Sequence, residues 1–249
     1  MTGDKRISLS VFFPCRDEQD NIERVARQAL EVLPTISDDF EVIIVDDGST
    51  DQTGAIAERL AGENPRVRAI HHPVNRGYGG ALQSGFGAAT KEWVFYTDGD
   101  GQFDLHELPV LLAYLDGYDI VVGYRLRRRD PWHRRVNGWA WTRLINCLFD
   151  LHVRDIDCAF KLFRRAVFAH IELHSQGALI STEVLARARR AGYHMIEHGV
   201  HHYSRRHGRP SGASPRVIAR AFYELCRLRR HILAGPQRTC ANNQSKIQP

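Results

Sequence analysis

Asp98-Gly99-Asp100-Gly101-Gln102 sets two carboxylates one small residue apart and follows them with an amide. Two such carboxylates can converge on one hard divalent cation, magnesium or manganese, which takes oxygen ligands and is commonly completed by substrate phosphates. An ordinary acidic turn between a strand and a helix has the same composition, so the pair alone leaves both readings open. A second acidic turn, Asp46-Asp47-Gly48-Ser49, follows another apolar run one or two strands away. Together they point to a site where a cation bridges the protein to an anionic ligand.

Other polar groupings are weaker. Asn75-Arg76-Gly77-Tyr78-Gly79-Gly80 puts glycines at the start of a helix, where free backbone N–H groups can face a phosphate. Helix–sheet packing explains such a turn equally well, and its spacing is not that of a dinucleotide fingerprint. His71-His72 and His201-His202 are adjacent pairs whose side chains leave a strand on opposite faces, so neither pair can easily chelate one ion. The five cysteines fall at irregular spacings without a C-x-x-C pair, which suggests neither a disulfide framework nor a zinc site and fits a reducing, cytoplasmic setting.

The formal charge is +5, and all but four of the 34 cationic residues are arginine. Guanidinium groups suit phosphate recognition. They cluster at Arg125, Arg127, Arg128, Arg129, Arg134 and Arg135, and again at Arg205, Arg206 and Arg209. Solvated surface charge and attraction to an anionic acceptor or lipid surface are both open for these clusters. No signal peptide and no apolar stretch of membrane-spanning length is visible.

The elements that must position these residues alternate. β-rich runs at 7–13, 41–45, 67–71 and 93–97 are separated by helical patterns at 20–33, 53–61 and 79–90. A βαβαβαβ series implies a mostly parallel sheet covered by helices on both faces, with ligands beyond the carboxyl ends of its strands. A helix at 105–115 and a strand at 120–123 complete this half. Beyond it we expect helices at about 138–149 and 182–191, a strand or turn at 160–163 and a strand at 195–200. A basic loop at 204–215 precedes a basic amphipathic helix ending at 233, which can pack on the domain or lie on an anionic bilayer. A disordered tail is expected at 234–249.

In this order, Pro14-Cys15-Arg16-Asp17-Glu18-Gln19-Asp20-Asn21-Ile22, Val45-Asp46-Asp47-Gly48-Ser49-Thr50-Asp51, Asn75-Arg76-Gly77-Tyr78-Gly79-Gly80-Ala81 and Asp98-Gly99-Asp100-Gly101-Gln102 resemble the family-2 glycosyltransferases of GT-A fold. The likeness is greatest to polyprenyl-phosphate (dolichyl-phosphate) mannose and glucose synthases. It extends over about residues 7 to 215 and includes Asp157-Cys158-Ala159-Phe160-Lys161-Leu162-Phe163-Arg164.

The resemblance implies one domain over 1–215, with a nucleotide-sugar half at 7–125 and an acceptor half at 126–215. It implies that Pro14, Arg16 and Glu18 line the nucleotide site, while Val45 and Asp47 contact base and ribose, Asp47 accepting a base N–H. Asp98 and Gly99 would face ribose or phosphate, and Asp100 and Gln102, with Asp98 beside them, would hold the magnesium or manganese. Arg125 would stand near the diphosphate and Arg206 among the donor contacts. The family usually has an aromatic residue and Asn before the glutamate, where Arg16 and Asp17 stand here, and this leaves base preference open.

The implied reaction is inverting transfer of a hexose from a GDP- or UDP-sugar to a polyprenyl phosphate, by peripheral contact at the cytoplasmic membrane face. An anionic phosphate acceptor needs no strong general base; a hydroxyl acceptor needs a carboxylate, for which Asp157 and Glu183 are candidates. Glu183 equally reads as a charge complementing a helix N-terminus. The alternative within the class is a soluble transferase acting on a hydroxyl of a glycan or secondary metabolite. A nucleotidyltransferase would carry a glycine-rich, lysine-containing loop after the first strand, and this chain has neither there. A non-catalytic nucleic-acid binder would use the arginine clusters but leave both acidic turns unexplained, so no nucleic-acid partner is expected.

Overall fold

The computed structural model describes residues 7–126, 132–205 and 224–232. Seven strands make one sheet: β1 (Ser8–Cys15), β2 (Asp39–Asp46), β3 (Val67–His71), β4 (Trp93–Thr97), β5 (Ile120–Arg125), β6 (Phe160–Arg164) and β7 (Met195–Val200). Their spatial order is β3-β2-β1-β4-β6-β5-β7. β1 and β2 are nearly continuous apolar runs because, as interior strands, they are covered on both faces.

The chain steps from β1 outward to β2 and β3, then returns to lay β4 on the other side of β1. That reversal puts a topological switch point at the carboxyl ends of β1 and β4, the position where sheets of this kind form their ligand crevice. β6 runs antiparallel to both β4 and β5, whereas β7 pairs parallel with β5 at the edge. Because β6 is reversed, the loop before it lies on the same sheet edge as the carboxyl ends of β4 and β5. Both acidic turns and the 155–158 loop therefore share one edge.

The helices are α1 (Ile22–Val32), α2 (Thr53–Glu63), α3 (Gly77–Ala88), α4 (Leu108–Leu111), α5 (Trp132–Phe149), α6 (Val167–His170) and α7 (Ile180–Arg190). The small residues of α3 let it sit close to the sheet. A Cβ at Gly85 would lie 2.2 Å from the Phe12 ring, and Phe12, Phe86 and Tyr96 pack ring against ring with centroids 5.0–5.6 Å apart. The helix expected at 105–115 is instead one turn of α4 between two 3-10 segments, 105–107 and 112–114, with Pro109 in the first turn of α4. Proline has no N–H to continue a preceding helix but fits a first turn. α5 starts six residues earlier than the pattern suggests and carries Gly138 inside it.

Residues 224–232 are helical, and Leu225, Leu228 and Ile232 of the expected amphipathic stripe are buried in the core. In this part of the stripe the apolar side packs on the domain. Arg127, Arg128, Arg129, Arg206, Arg209, most of the expected basic loop and the 234–249 tail lie outside the described residues. Among the described residues no helix is long and apolar enough to cross a membrane.

Candidate nucleotide-sugar site

The loops after β1 and β2 are laced together. Asp17 has φ 53°, a left-handed conformation that Asn and Asp adopt more readily than most residues. Its Oδ1 accepts from the Thr50 N–H at 2.8 Å, and its own N–H donates to Ser49 Oγ at 3.0 Å. The Glu18 N–H donates to Thr53 Oγ1 at 2.8 Å, and the Gln19 N–H to Asp51 at 3.2 Å. Asp17 thus ties the turn after β1 to the turn after β2. Arg16 beside it is half-exposed and, among the described residues, makes a 3.8 Å ion pair with Asp17.

Glu18 is nearly buried, and burial pushes its carboxyl up, against the hydrogen bond from Asn21 Nδ2 (2.8 Å) and the ion pair with Arg205. Arg205 is delivered by the segment after β7, which zips along the chain following Asp100. Tyr203 N–H donates to the Gln102 carbonyl at 2.8 Å, and Gln102 Nε2 donates to the Tyr203 carbonyl at 2.9 Å. Only the amide oxygen of Gln102 is left to offer a cation.

Asp98 and Asp100 stand at the end of β4. Gly99 between them is required by space: its N–H approaches the Pro14 carbonyl at 3.4 Å, and a Cβ there would lie 2.4 Å from Cys15 Sγ. Asp98 Oδ1 accepts from the Tyr78 hydroxyl at 2.9 Å, and Asp100 Oδ1 accepts from the Gln102 N–H at 3.0 Å. Burial and the neighbouring Asp100 charge raise Asp98 to about 7. Burial likewise raises Asp100, although Arg205 and Arg24 oppose it.

Two carboxylates so poorly compensated by the protein, with hard oxygen donors, fit a magnesium or manganese ion. Among the described residues no three His, Cys, Asp or Glu side chains converge as a metal cage. One or two carboxylates suffice for an ion whose coordination substrate phosphates complete.

Val45 is buried in β2, two residues before Asp47. Asp47 Oδ1 accepts from His72 Nδ1 at 2.6 Å and from the Arg76 N–H at 2.8 Å. His71 instead bonds Asp46 (3.0 Å) and Glu58 (2.8 Å), so the adjacent rings serve different acids. The glycine-rich first turn of α3 is occupied by protein: the Gly79 N–H donates to the Gln176 carbonyl at 2.8 Å, and a Cβ at Gly79 would lie 2.1 Å from the Ser175 carbonyl oxygen.

On the acceptor side, Arg125 forms a two-pronged pair with Asp155, Nε to Oδ2 at 2.6 Å and Nη2 to Oδ1 at 2.7 Å. Burial alone would lower Arg125, but Asp155 holds it well above its ordinary value. Asp157 is exposed in the same loop. Lys161 lies beneath it, fully buried, and donates to the Ile156 and Cys158 carbonyls on either side of Asp157 and to the Tyr96 hydroxyl at 3.3 Å. Glu183 is not at this mouth. It is fully buried in α7 and accepts from His174 N–H (3.0 Å), Ser175 N–H (2.7 Å) and Arg187 Nε (2.8 Å).

Asp155, Lys161 and Tyr78 were not singled out by sequence reasoning, and His72 was weighed only as half of a histidine pair. Lys161 carried a signal, a lone lysine inside an apolar strand. Lys161→Met should lose ~2–4 kcal/mol in chemical denaturation, because two buried carbonyls lose a charged donor. An unchanged denaturation midpoint would remove Lys161 as the clamp of this loop.

Sheet order and site edge define a GT-A fold of the nucleotide-diphospho-sugar transferases. Crystal structures of glucosyl-3-phosphoglycerate synthase from Mycobacterium tuberculosis share it. The complex with Mn2+, UDP and glucosyl-3-phosphoglycerate superposes at TM-score 0.64 with 20% identity, covering 92% of this chain and 78% of that one. The complex with Mn2+, UDP and phosphoglyceric acid gives 0.65 and 22%, covering 92% and 76%.

The chain belongs to glycosyl transferase family 2, whose model matches residues 10–172. It is 34% identical over 201 residues to glycosyltransferase AglD of Haloferax volcanii, covering 77% of this chain and 32% of AglD. It is 30% identical over 221 residues to the undecaprenyl-phosphate 4-deoxy-4-formamido-L-arabinose transferase of Enterobacter sp. strain 638, covering 87% of this chain and 66% of that protein. The chain thus spans about a third of the first relative's length and just under two thirds of the second's.

Proposed function

We propose that this protein transfers a hexose, with inversion, from a GDP- or UDP-sugar to a polyprenyl phosphate, meeting the acceptor from the cytoplasmic membrane surface. The observation that carries the reading is the undercompensated pair Asp98 and Asp100 at the switch point of a GT-A sheet. The acceptor class is supported by the relative whose name specifies undecaprenyl phosphate.

Pro14, Arg16, Glu18, Val45 and Asp47 would line the nucleoside side, Asp98 and Gly99 would face ribose and phosphate, and Asp100, Asp98 and the amide oxygen of Gln102 would hold the ion. Bound magnesium or manganese supplies positive charge to the departing nucleoside diphosphate. The acceptor oxygen attacks the anomeric carbon from the face opposite the diphosphate, and the bond from that carbon to the diphosphate oxygen breaks. A phosphate acceptor arrives already anionic, so no residue need take its proton. Arg125 is held in place by its two-pronged pair with Asp155, which offsets most of the charge it was expected to bring near the diphosphate, and Asp157 orients the acceptor. Glu183 braces the 174–175 loop, and Arg206 joins the donor contacts.

Incubation with radiolabelled UDP- or GDP-hexose, manganese and polyprenyl phosphate should yield a labelled product in the organic phase. Label found only in an aqueous product would favour the alternative of a soluble transferase acting on a hydroxyl. No labelled product with any common donor would sink the lipid reading.

A further inference from the structure

The buried histidine beside Asp47 has no part in the chemistry described so far. His72 lies at the end of β3 with its side chain 5% exposed, as is that of Asp47. Its backbone N–H donates to the Asp46 carbonyl at 2.9 Å, which sets the ring against the next residue of the same turn. Nδ1 is 2.6 Å from Asp47 Oδ1, and Nε2 is 2.9 Å from Ser84 Oγ on α3.

The direction of this chain of bonds follows from its ends. A carboxylate oxygen accepts, so the ring proton sits on Nδ1; in the neutral ring Nε2 then accepts, and the Ser84 hydroxyl donates to it. The Arg76 N–H, from the turn before α3, donates to the same Oδ1 at 2.8 Å. Two donors thus saturate one oxygen of Asp47 and pin the plane of the carboxylate. Among the described residues the bonds to the Asp47 carboxylate both fall on Oδ1, which leaves the acceptor capacity of Oδ2 unused by them.

We infer that His72, oriented by Ser84, is a specificity-setting positioning residue: it holds Asp47 as a fixed acceptor that selects bases presenting a ring N–H. Uracil, thymine and guanine offer such a donor. Cytosine and adenine place a lone pair at the equivalent ring nitrogen and would face the carboxylate acceptor to acceptor. This inference rests on the nucleotide-binding reading above, in which Asp47 accepts a base N–H, and adds the residue that holds Asp47 to that task.

The test is calorimetric titration of the full chain with UDP, GDP, CDP and ADP, each with manganese, and with manganese pyrophosphate as a ligand lacking a base. Wild type should bind UDP or GDP about tenfold more tightly than CDP and ADP, the worth of one charge-assisted hydrogen bond. His72→Ala should erase most of that preference while leaving pyrophosphate affinity within about twofold of wild type. His72→Asn, whose amide N–H can donate from near the Nδ1 position, should return most of the preference. Equal weakening of pyrophosphate in His72→Ala would reduce the histidine to a general structural role and overturn the inference. So would pyrophosphate binding without base preference in wild type, which leaves the metal–diphosphate site standing. Failure of wild type to bind any of these ligands with manganese would overturn the nucleotide reading itself, and this inference with it.

Discussion

Asp100→Ala is expected to abolish the manganese-dependent thermal stabilisation of the protein by UDP or GDP and to cut turnover by about a thousandfold. The size of the effect follows from position. Asp100 lies at the end of β4, held by the Gln102 N–H, with Arg205 and Arg24 lowering its proton affinity against burial. Alanine removes one of only two carboxylates at the strand end, and no third His, Cys, Asp or Glu among the described residues is placed to join Asp98 as a replacement. Asp100→Asn separates charge from shape, since the amide keeps an oxygen and the turn but loses the anion. It should bind manganese nucleotide only weakly while melting within a few degrees of wild type. A thermal-shift screen of UDP, GDP and TDP with manganese or magnesium reads both variants. Stabilisation undiminished in Asp100→Ala would remove this residue from the metal site.

The edge of the sheet on which this site lies was legible before the structure, because β1, β2 and β4 are largely apolar runs each followed by a polar turn. Asp98, Asp100, Asp47 and Glu18 were legible for the same reason: each sits within a few residues of a strand end. Partners distant along the chain were not. Asp155 pairs with Arg125 across 30 residues, His72 with Asp47 across 25 and Lys161 with Tyr96 across 65. Nothing local marks such pairs, since the sheet order that joins them is set by how the whole core packs.

Glu183 shows the converse. An acid in the first turn of a helix is ambiguous by itself, and only the fold places the 174–175 loop over it, so that its oxygens accept two backbone N–H groups. Pro109 was a visible interruption in the 105–115 pattern, but periodicity alone does not weigh one proline against several well-spaced leucines. The glycines of α3 were legible as small residues, while what they accommodate became clear only from the approach of Phe12 to Gly85 and of Ser175 to Gly79.

The metal-free protein should lose stability as the pH rises from 5.5 to 8, and manganese should restore most of the loss at pH 8. Asp98 carries the largest part. Its folded value is raised to about 7 from an ordinary 3.8, first by burial and then by the Asp100 charge. An acid whose proton is held more tightly in the folded state supports folding fully below its unfolded value, and that support disappears as the pH climbs through the folded value. Glu18 and Asp100 are raised in the same sense, chiefly by burial. His71 works in the same direction: burial opposes its proton, but Asp46 and Glu58 raise it above its ordinary value, so its contribution also fades with rising pH. Asp46 and Glu41 are lowered by their hydrogen bonds against burial, and their contributions are lost only in acid, below the window considered. After allowance for solvent reaching the crevice, the net loss is roughly 2 kcal/mol. Denaturation of metal-free protein at pH 5.5, 6.5, 7.5 and 8 measures it. Asp98→Asn removes both the titration and the repulsion, so this variant should be more stable than wild type at pH 8 without metal, have a shallower slope and gain little from manganese. A slope identical to wild type in Asp98→Asn would show that the carboxylates of the crevice are already compensated without a cation, and the metal assignment would lose its physical basis.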